Sequence, residues 1–189
     1  MLDHSDVLTA RERVVETARH TPLEYSHTFS AMTDAEIHLK LENFQRTGAF
    51  KIRGATNRIA TLPEADREAG VVTASAGNHA QGVALAASRM DVDATVVMPE
   101  NAPISKVKAT RNYGASVELT GANYDEASQR AHEIEREEGR YYLHAFDDEM
   151  VMAGQGTIGL EIVEDLPDVE TVVVPIGGGG LISGIATAI

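Results

Sequence analysis

Amine chemistry is scarce in this chain. Its sixteen basic residues include only four lysines, Lys40, Lys51, Lys106 and Lys108, and the remainder are arginine. Lys106 and Lys108 fall in a charged helical stretch and read as solvated, while Lys40 lies on the polar side of an alternating segment, Glu36–Glu42. Lys51 differs: it follows Thr47-Gly48-Ala49-Phe50, precedes Ile52 and opens a helix. Apolar neighbours and the positive end of a helix both penalise an ammonium, which lowers a lysine pKa from about 10.4 toward neutrality. A neutral amine can attack a carbonyl. The plainer alternative is a lysine that snorkels from a helix start.

Glycine-rich turns supply the second kind of chemistry, because main-chain N–H groups at a helix N-terminus can approach an anion closely. Thr171–Ile176 reads as a strand and runs into Gly177-Gly178-Gly179-Gly180-Leu181. A tight turn needs one or two glycines and four are entropically costly, so a phosphate cradle is the better account. Val71–Ala74 runs into Ser75-Ala76-Gly77-Asn78-His79-Ala80-Gln81-Gly82 and a helix, a place for a small carboxylate; capping by Ser75 or Asn78 is the alternative. Gly154–Gly159 matches G-x-G-x-x-G by letter, but no strand alternation precedes it and no acidic ribose partner follows, so a dinucleotide site is disfavoured. A depressed lysine, a phosphate cradle and a separate carboxylate turn have one economical explanation, pyridoxal 5'-phosphate with an amino-acid substrate.

The elements that must hold these residues alternate. Strands are expected at Val71–Ala74, Ala94–Met98, Ser116–Leu119, Tyr141–His144 and Thr171–Ile176, after an earlier one at Glu36–Glu42. Helices are expected at Ser5–Ala18, Lys51–Leu62, Asn78–Met90, Ser105–Tyr113, Tyr124–Glu138 and Gln155–Leu166. The pattern predicts an α/β fold with a parallel sheet and helices on both faces. Ile189 stands nine residues past Gly180 within an apolar stretch, so the chain reads as the front portion of a larger protein.

The segment Lys40–Ala55 resembles the cofactor-lysine signature of the serine/threonine dehydratases. Ser75–Gly82 is similar to their substrate loop and Gly177–Leu181 to their phosphate loop, with Thr21-Pro22-Leu23 and Gly154-Gln155-Gly156-Thr157 also fitting. The likeness covers nearly the whole chain. It implies a fold type II pyridoxal-phosphate enzyme, tryptophan synthase β-like, with a smaller domain (residues 57–146) inserted into a larger one (1–56 and 147–189). It implies that Lys51 bonds the cofactor aldehyde, that Phe50 packs near the ring and that Asn78 meets the ring hydroxyl. It places Ser75, Gly77, Asn78 and His79 around the substrate carboxylate, and Gly177, Gly178, Gly179, Gly180 and Leu181 on the phosphate. The activity implied is a lyase that dehydrates and deaminates L-threonine to 2-oxobutanoate, with L-serine to pyruvate as a companion reaction and isoleucine biosynthesis as one metabolic setting. Serine racemisation and a binding fragment without turnover are the alternatives. Racemising relatives carry a serine where this chain has Ala76, which has no proton to give. The pyridine-nitrogen partner, and any cation site or regulatory domain, are expected beyond Ile189.

Composition narrows the field. A net charge of −13 argues against nucleic acid, and no apolar run is long enough for a membrane span. The absence of cysteine excludes disulfides and thiolate chemistry, and no metal site is expected. No secretory signal is visible at the N-terminus, so a cytoplasmic location is expected; a homo-oligomer is expected as well. Acidic residues with few lysines would suit a salt-rich cytoplasm, where screening relieves self-repulsion.

Overall fold

The computed structural model describes all 189 residues. It opens with α1 (His4–Val14), whose start carries a reciprocal cap between Asp3 and Asp6. The chain then forms β1 (Leu23–Tyr25), α2 (His27–Thr33) and β2 (His38–Lys40), with β1 and β2 paired antiparallel. A single 3₁₀ turn, Glu42–Phe44, leads to α3 (Lys51–Ala60) and the short α4 (Glu64–Ala69).

Next comes the strand–helix alternation: β3 (Val71–Ala74), α5 (Asn78–Arg89), β4 (Ala94–Met98), α6 (Ile104–Asn112), β5 (Ser116–Leu119), α7 (Tyr124–Glu138) and β6 (Tyr141–Tyr142). The four strands form a parallel sheet in the order β5-β4-β3-β6. Two helices close the chain, α8 (Glu149–Asp165) and α9 (Gly180–Ala188).

Alternation along β3 divides the sheet's two faces. Val71, with Val96 and Met98 of β4, joins the main core formed with α3 and α5. Val72 and Ala74 point the other way, against Ala127, Ala131 and Ile134 of α7. Helices thus cover both faces, as a parallel sheet requires. The connections run outward from β3 to β4 to β5 and then return to β6 on the other side of β3. That reversal opens a crevice at the carboxyl ends of β3 and β6, where ligands of open α/β sheets bind.

Four expectations need correction. Thr171–Ile176 is extended but pairs with no strand; Val173 is 91% exposed and Ile176 is 68% exposed. β-branched residues favour extension, but a strand exists only where a neighbour accepts its hydrogen bonds, and no other strand of this structure lies beside it. Val172 and Val174 pack instead on Ile158, Ile162 and Ile185. The early strand is shorter than Glu36–Glu42, and Lys40 does not face water: its side chain is 8% exposed and bonds the carboxylates of Glu161 and Asp165 at 2.8 and 3.2 Å. α8 starts six residues earlier than expected, because Asp148 accepts hydrogen bonds from the N–H groups of Met150 and Val151 and so caps it. Finally, β6 stops at Tyr142 instead of His144.

The letter match Gly154–Gly159 lies inside α8 and cannot form a phosphate turn. A Cβ at Gly154 would meet the main chain of Arg53 and Gly54 at 2.6 Å, and one at Gly156 would meet the Gly184 carbonyl at 2.6 Å. Real Cβ contacts are not that short. The glycines are there so that α8 can touch α3 on one side and α9 on the other.

Candidate active site

Lys51 is the first residue of α3, which begins after Phe50 with no side-chain cap. The backbone of α5 presses on this point: a Cβ on Gly82 would meet the Lys51 main-chain carbon at 2.9 Å. Lys51 Nζ donates to the Ala145 carbonyl at 2.7 Å and lies 5.2 Å from the centroid of the Phe50 ring. No carboxylate is within ion-pair distance, and burial holds the amine below the usual lysine range.

Ser75, Ala76 and Gly77 form the turn between β3 and α5. The Ser75 hydroxyl accepts from the N–H groups of Gly77 (3.2 Å) and Ala80 (3.3 Å), so capping is one thing it does. Asn78 Oδ1 accepts from Lys106 Nζ at 3.3 Å, which brings a lysine expected to be merely solvated to the rim of this turn.

The His79 side chain turns inward, 4% exposed, and donates from Nε2 to the Leu143 carbonyl at 3.1 Å. Its Nδ1 has no partner. Burial, the Lys51 charge and His144 together outweigh the favourable bond to Leu143 and push its pKa down to about 4, so the ring is neutral near pH 7. Toward the turn, His79 offers only its main chain.

The glycine loop lies before α9, with Gly179 in the left-handed region at φ 90°, a conformation that suits glycine. Gly178 and Gly180 are hemmed in by Phe146: added Cβ atoms would come within 2.5 Å of its ring and 2.7 Å of its carbonyl, respectively. At Gly177 and Gly179 a Cβ would meet nothing within 4 Å. Leu181 packs with Phe50 against the cluster of Ile158, Ile162 and Ile185.

The three candidate groups meet at one short segment that the sequence did not single out. Leu143 O accepts from Thr73 Oγ1 and His79, Ala145 O accepts from Lys51, and Phe146 supports the glycine loop. Leu143–Phe146 leaves β6 at the crevice beside β3. Its only sequence signal was the end of the strand expected at Tyr141–His144, with Ala145 and Phe146 following it.

A second network was also missed. The Arg53 guanidinium is 1% exposed and forks onto two carboxylates, Glu42 at 2.8 and 3.0 Å and Glu161 at 2.5 and 3.0 Å. It also donates to Thr157 Oγ1 and the Arg19 carbonyl. Burial pulls the Arg53 pKa down, but the bonds and charges of Glu42 and Glu161 more than reverse it. The network was legible only as scattered residues, since its members lie up to 142 positions apart, from Arg19 to Glu161.

These residues fit a phosphorylated aldehyde. An amine whose pKa burial lowers stands beside an apolar ring, and the glycine loop at the start of α9 has open room at Gly177 and Gly179, where side chains would otherwise project.

A family model described as pyridoxal-phosphate dependent enzyme matches residues 14–189, and the chain belongs to that family, as a fold type II member. Among curated relatives, it is 56% identical over 189 residues to an L-threonine ammonia-lyase of Thermotoga maritima, covering all of this chain and 47% of that protein. It is 52% identical over 184 residues to a catabolic L-threonine dehydratase of Escherichia coli, covering 97% of this chain and 56% of the relative. The chain spans about half the length of the curated relatives it matches. Among solved structures, maize serine racemase superposes with a TM-score of 0.96 at 39% identity, over 99% of this chain and 57% of that one. The processed form of threonine deaminase isoform 2 from Solanum lycopersicum gives 0.94 at 43%, over 98% and 50%. No helix of this structure is long and apolar enough to cross a membrane.

Proposed function

We propose that this chain carries the cofactor-binding and base-bearing part of an L-threonine ammonia-lyase, which converts L-threonine to 2-oxobutanoate and ammonia, with L-serine to pyruvate as a companion reaction. The observation that carries this is Lys51: a half-buried amine with a single neutral partner, joined through Ala145 and Phe146 to a glycine loop open to a phosphate. Relatives named for threonine ammonia-lyase and dehydratase supply the substrate.

In this reading Lys51 would hold the cofactor aldehyde, with Phe50 near the ring and Asn78 available to the ring oxygen. Gly177 to Gly180 and Leu181 take the phosphate. Pyridoxal phosphate, when bound, supplies a sink for the electron pair left at the substrate Cα. Ser75, Gly77, Asn78 and His79 hold the substrate carboxylate, His79 through its main chain. With substrate bound, Lys51 Nζ would be the base for the Cα proton, and the burial that lowers its pKa favours the neutral amine which that task needs.

Ala76 favours elimination over racemisation, because inversion at Cα needs a second proton donor and a methyl group cannot serve. The division into a larger part (1–56 and 147–189) and a smaller one (57–146) belongs to the same proposal. So does a homo-oligomer in a cytoplasm whose salt screens a net charge of −13; the absence of cysteine accords with a reducing compartment.

Borohydride reduction with pyridoxal phosphate followed by peptide mapping tests the assignment. The label is expected on Lys51 and is expected to vanish in Lys51→Ala, along with 2-oxo acid formation from L-threonine. Label on Lys40, Lys106 or Lys108, or substantial D-serine from L-serine, would overturn it.

A further inference from the structure

The turn after β6 sets the position of both the Lys51 partner and the support of the glycine loop, so whatever fixes that turn fixes the site. His144 does so. The main-chain N–H groups of Phe146 and Asp147 both point at its Nδ1, at 3.3 and 2.8 Å. A main-chain N–H can only donate, so Nδ1 is the unprotonated nitrogen and the neutral ring carries its proton on Nε2. The imidazole also meets the Phe146 ring nearly edge-on, with centroids 4.6 Å apart and planes at 80°.

We propose that His144 is a positioning residue: its neutral imidazole clips residues 144–147 into the shape that delivers the Ala145 carbonyl to Lys51 and Phe146 to the glycine loop, and protonation at Nδ1 releases the clip. Its functional meaning rests on the pyridoxal-phosphate site proposed above, whereas the clip itself is a property of the chain.

The titratable groups around it come from several elements. Lys51 of α3 is one residue removed through Ala145. His79 of α5 bonds Leu143, next to His144 in sequence. Tyr142 on β6 has its ring 6.4 Å away, with His132 of α7 stacked on it at 4.0 Å. Asp147 and Asp148 follow in the turn. His79, with a pKa of about 4, and Tyr142, pushed up by burial, keep their charge constant between about pH 5 and 8.

The test uses the isotope-labelled full chain without cofactor. In the parent chain, Nδ1 of His144 is expected to give the resonance of an unprotonated nitrogen. The Asp147 amide is expected to be protected from exchange, losing protection as pH falls from about 8 to 5. His144→Asn keeps an acceptor oxygen but cannot take up a proton, so protection should persist across that interval. His144→Ala should lose it at every pH.

Pyridoxal phosphate, titrated at equilibrium, should bind about tenfold more weakly to His144→Ala and within about threefold of the parent for His144→Asn. Equal Asp147 exchange in the parent and His144→Ala would overturn the proposal, as would a His144→Asn variant indistinguishable from His144→Ala. If the exchange pattern holds while the parent fails to bind pyridoxal phosphate, the clip is supported and the cofactor reading falls.

Discussion

Lys51 and Arg53 stand two residues apart on α3 and inhabit opposite electrostatic surroundings. Lys51 has one neutral carbonyl for company, and burial disfavours its charge. Arg53 has two carboxylates in bidentate contact, and its charge is more secure than in water. Successive residues of a helix point about 100° apart, so a separation of two nearly reverses direction. One helical turn thus supplies a cation that can give up its proton toward the crevice and a cation that cannot toward the framework. What separates them is the identity of the acceptors, not burial alone.

The sharpest way to break this contrast is to delete each cation in turn. Arg53→Met leaves Glu42 and Glu161 facing each other without their shared counter-ion and should cost roughly 3–5 kcal/mol of unfolding free energy. Lys51→Met removes a charge that burial already penalises and should change stability by less than about 1 kcal/mol. Urea denaturation of both variants measures the difference, and equal losses would show that the two positions are not distinct in kind.

The framework side can be probed without touching charge. Gly184→Ala would drive a methyl group into the Met152 carbonyl and the main chain of Gly156, with an expected loss of about 1–3 kcal/mol. A pH-dependent effect belongs to the crevice side, through His79. Its folded pKa is depressed from 6.5 to about 4, so its contribution to stability is complete above pH 6.5 and is lost as pH falls toward 4. The unfolded chain takes up a proton there that the folded one refuses, giving a slope of at most about 1.4 kcal/mol per pH unit. His79→Gln should flatten the stability curve between those values. An unchanged slope would mean that the imidazole is not held neutral.

Sequence patterns made the crevice side easier to read than the framework side. Lys51, the Ser75–Gly82 turn and Gly177–Leu181 are local strings, and each announces itself by residues adjacent in the chain. The parallel sheet was legible for a similar reason, since β3, β4 and β5 are short β-branched runs with helices between them. By contrast, Arg53, Glu42, Glu161 and Lys40 form their network by folding, and a lone charge in a sequence reads as a solvated one.

Lys40 shows the cost of reading alternation alone: the polar side of β2 faces carboxylates of α8, not water. Thr171–Ile176 shows another, because extended propensity says nothing about whether a neighbour is present to complete a ladder. His79 was placed by its string, but the direction of its side chain depends on Leu143, sixty-four positions away.

The glycine seam of α8 has a mechanical consequence. Where side chains separate two helices, rotamer changes let one slide over the other; where main chains touch, no such play exists. Gly154 abuts α3 and Gly156 abuts α9, so the axis that carries Lys51 and the axis that begins at the glycine loop are geared together through a single rod. Their spacing is settled when the chain folds, and an arriving guest need not spend its own affinity assembling it.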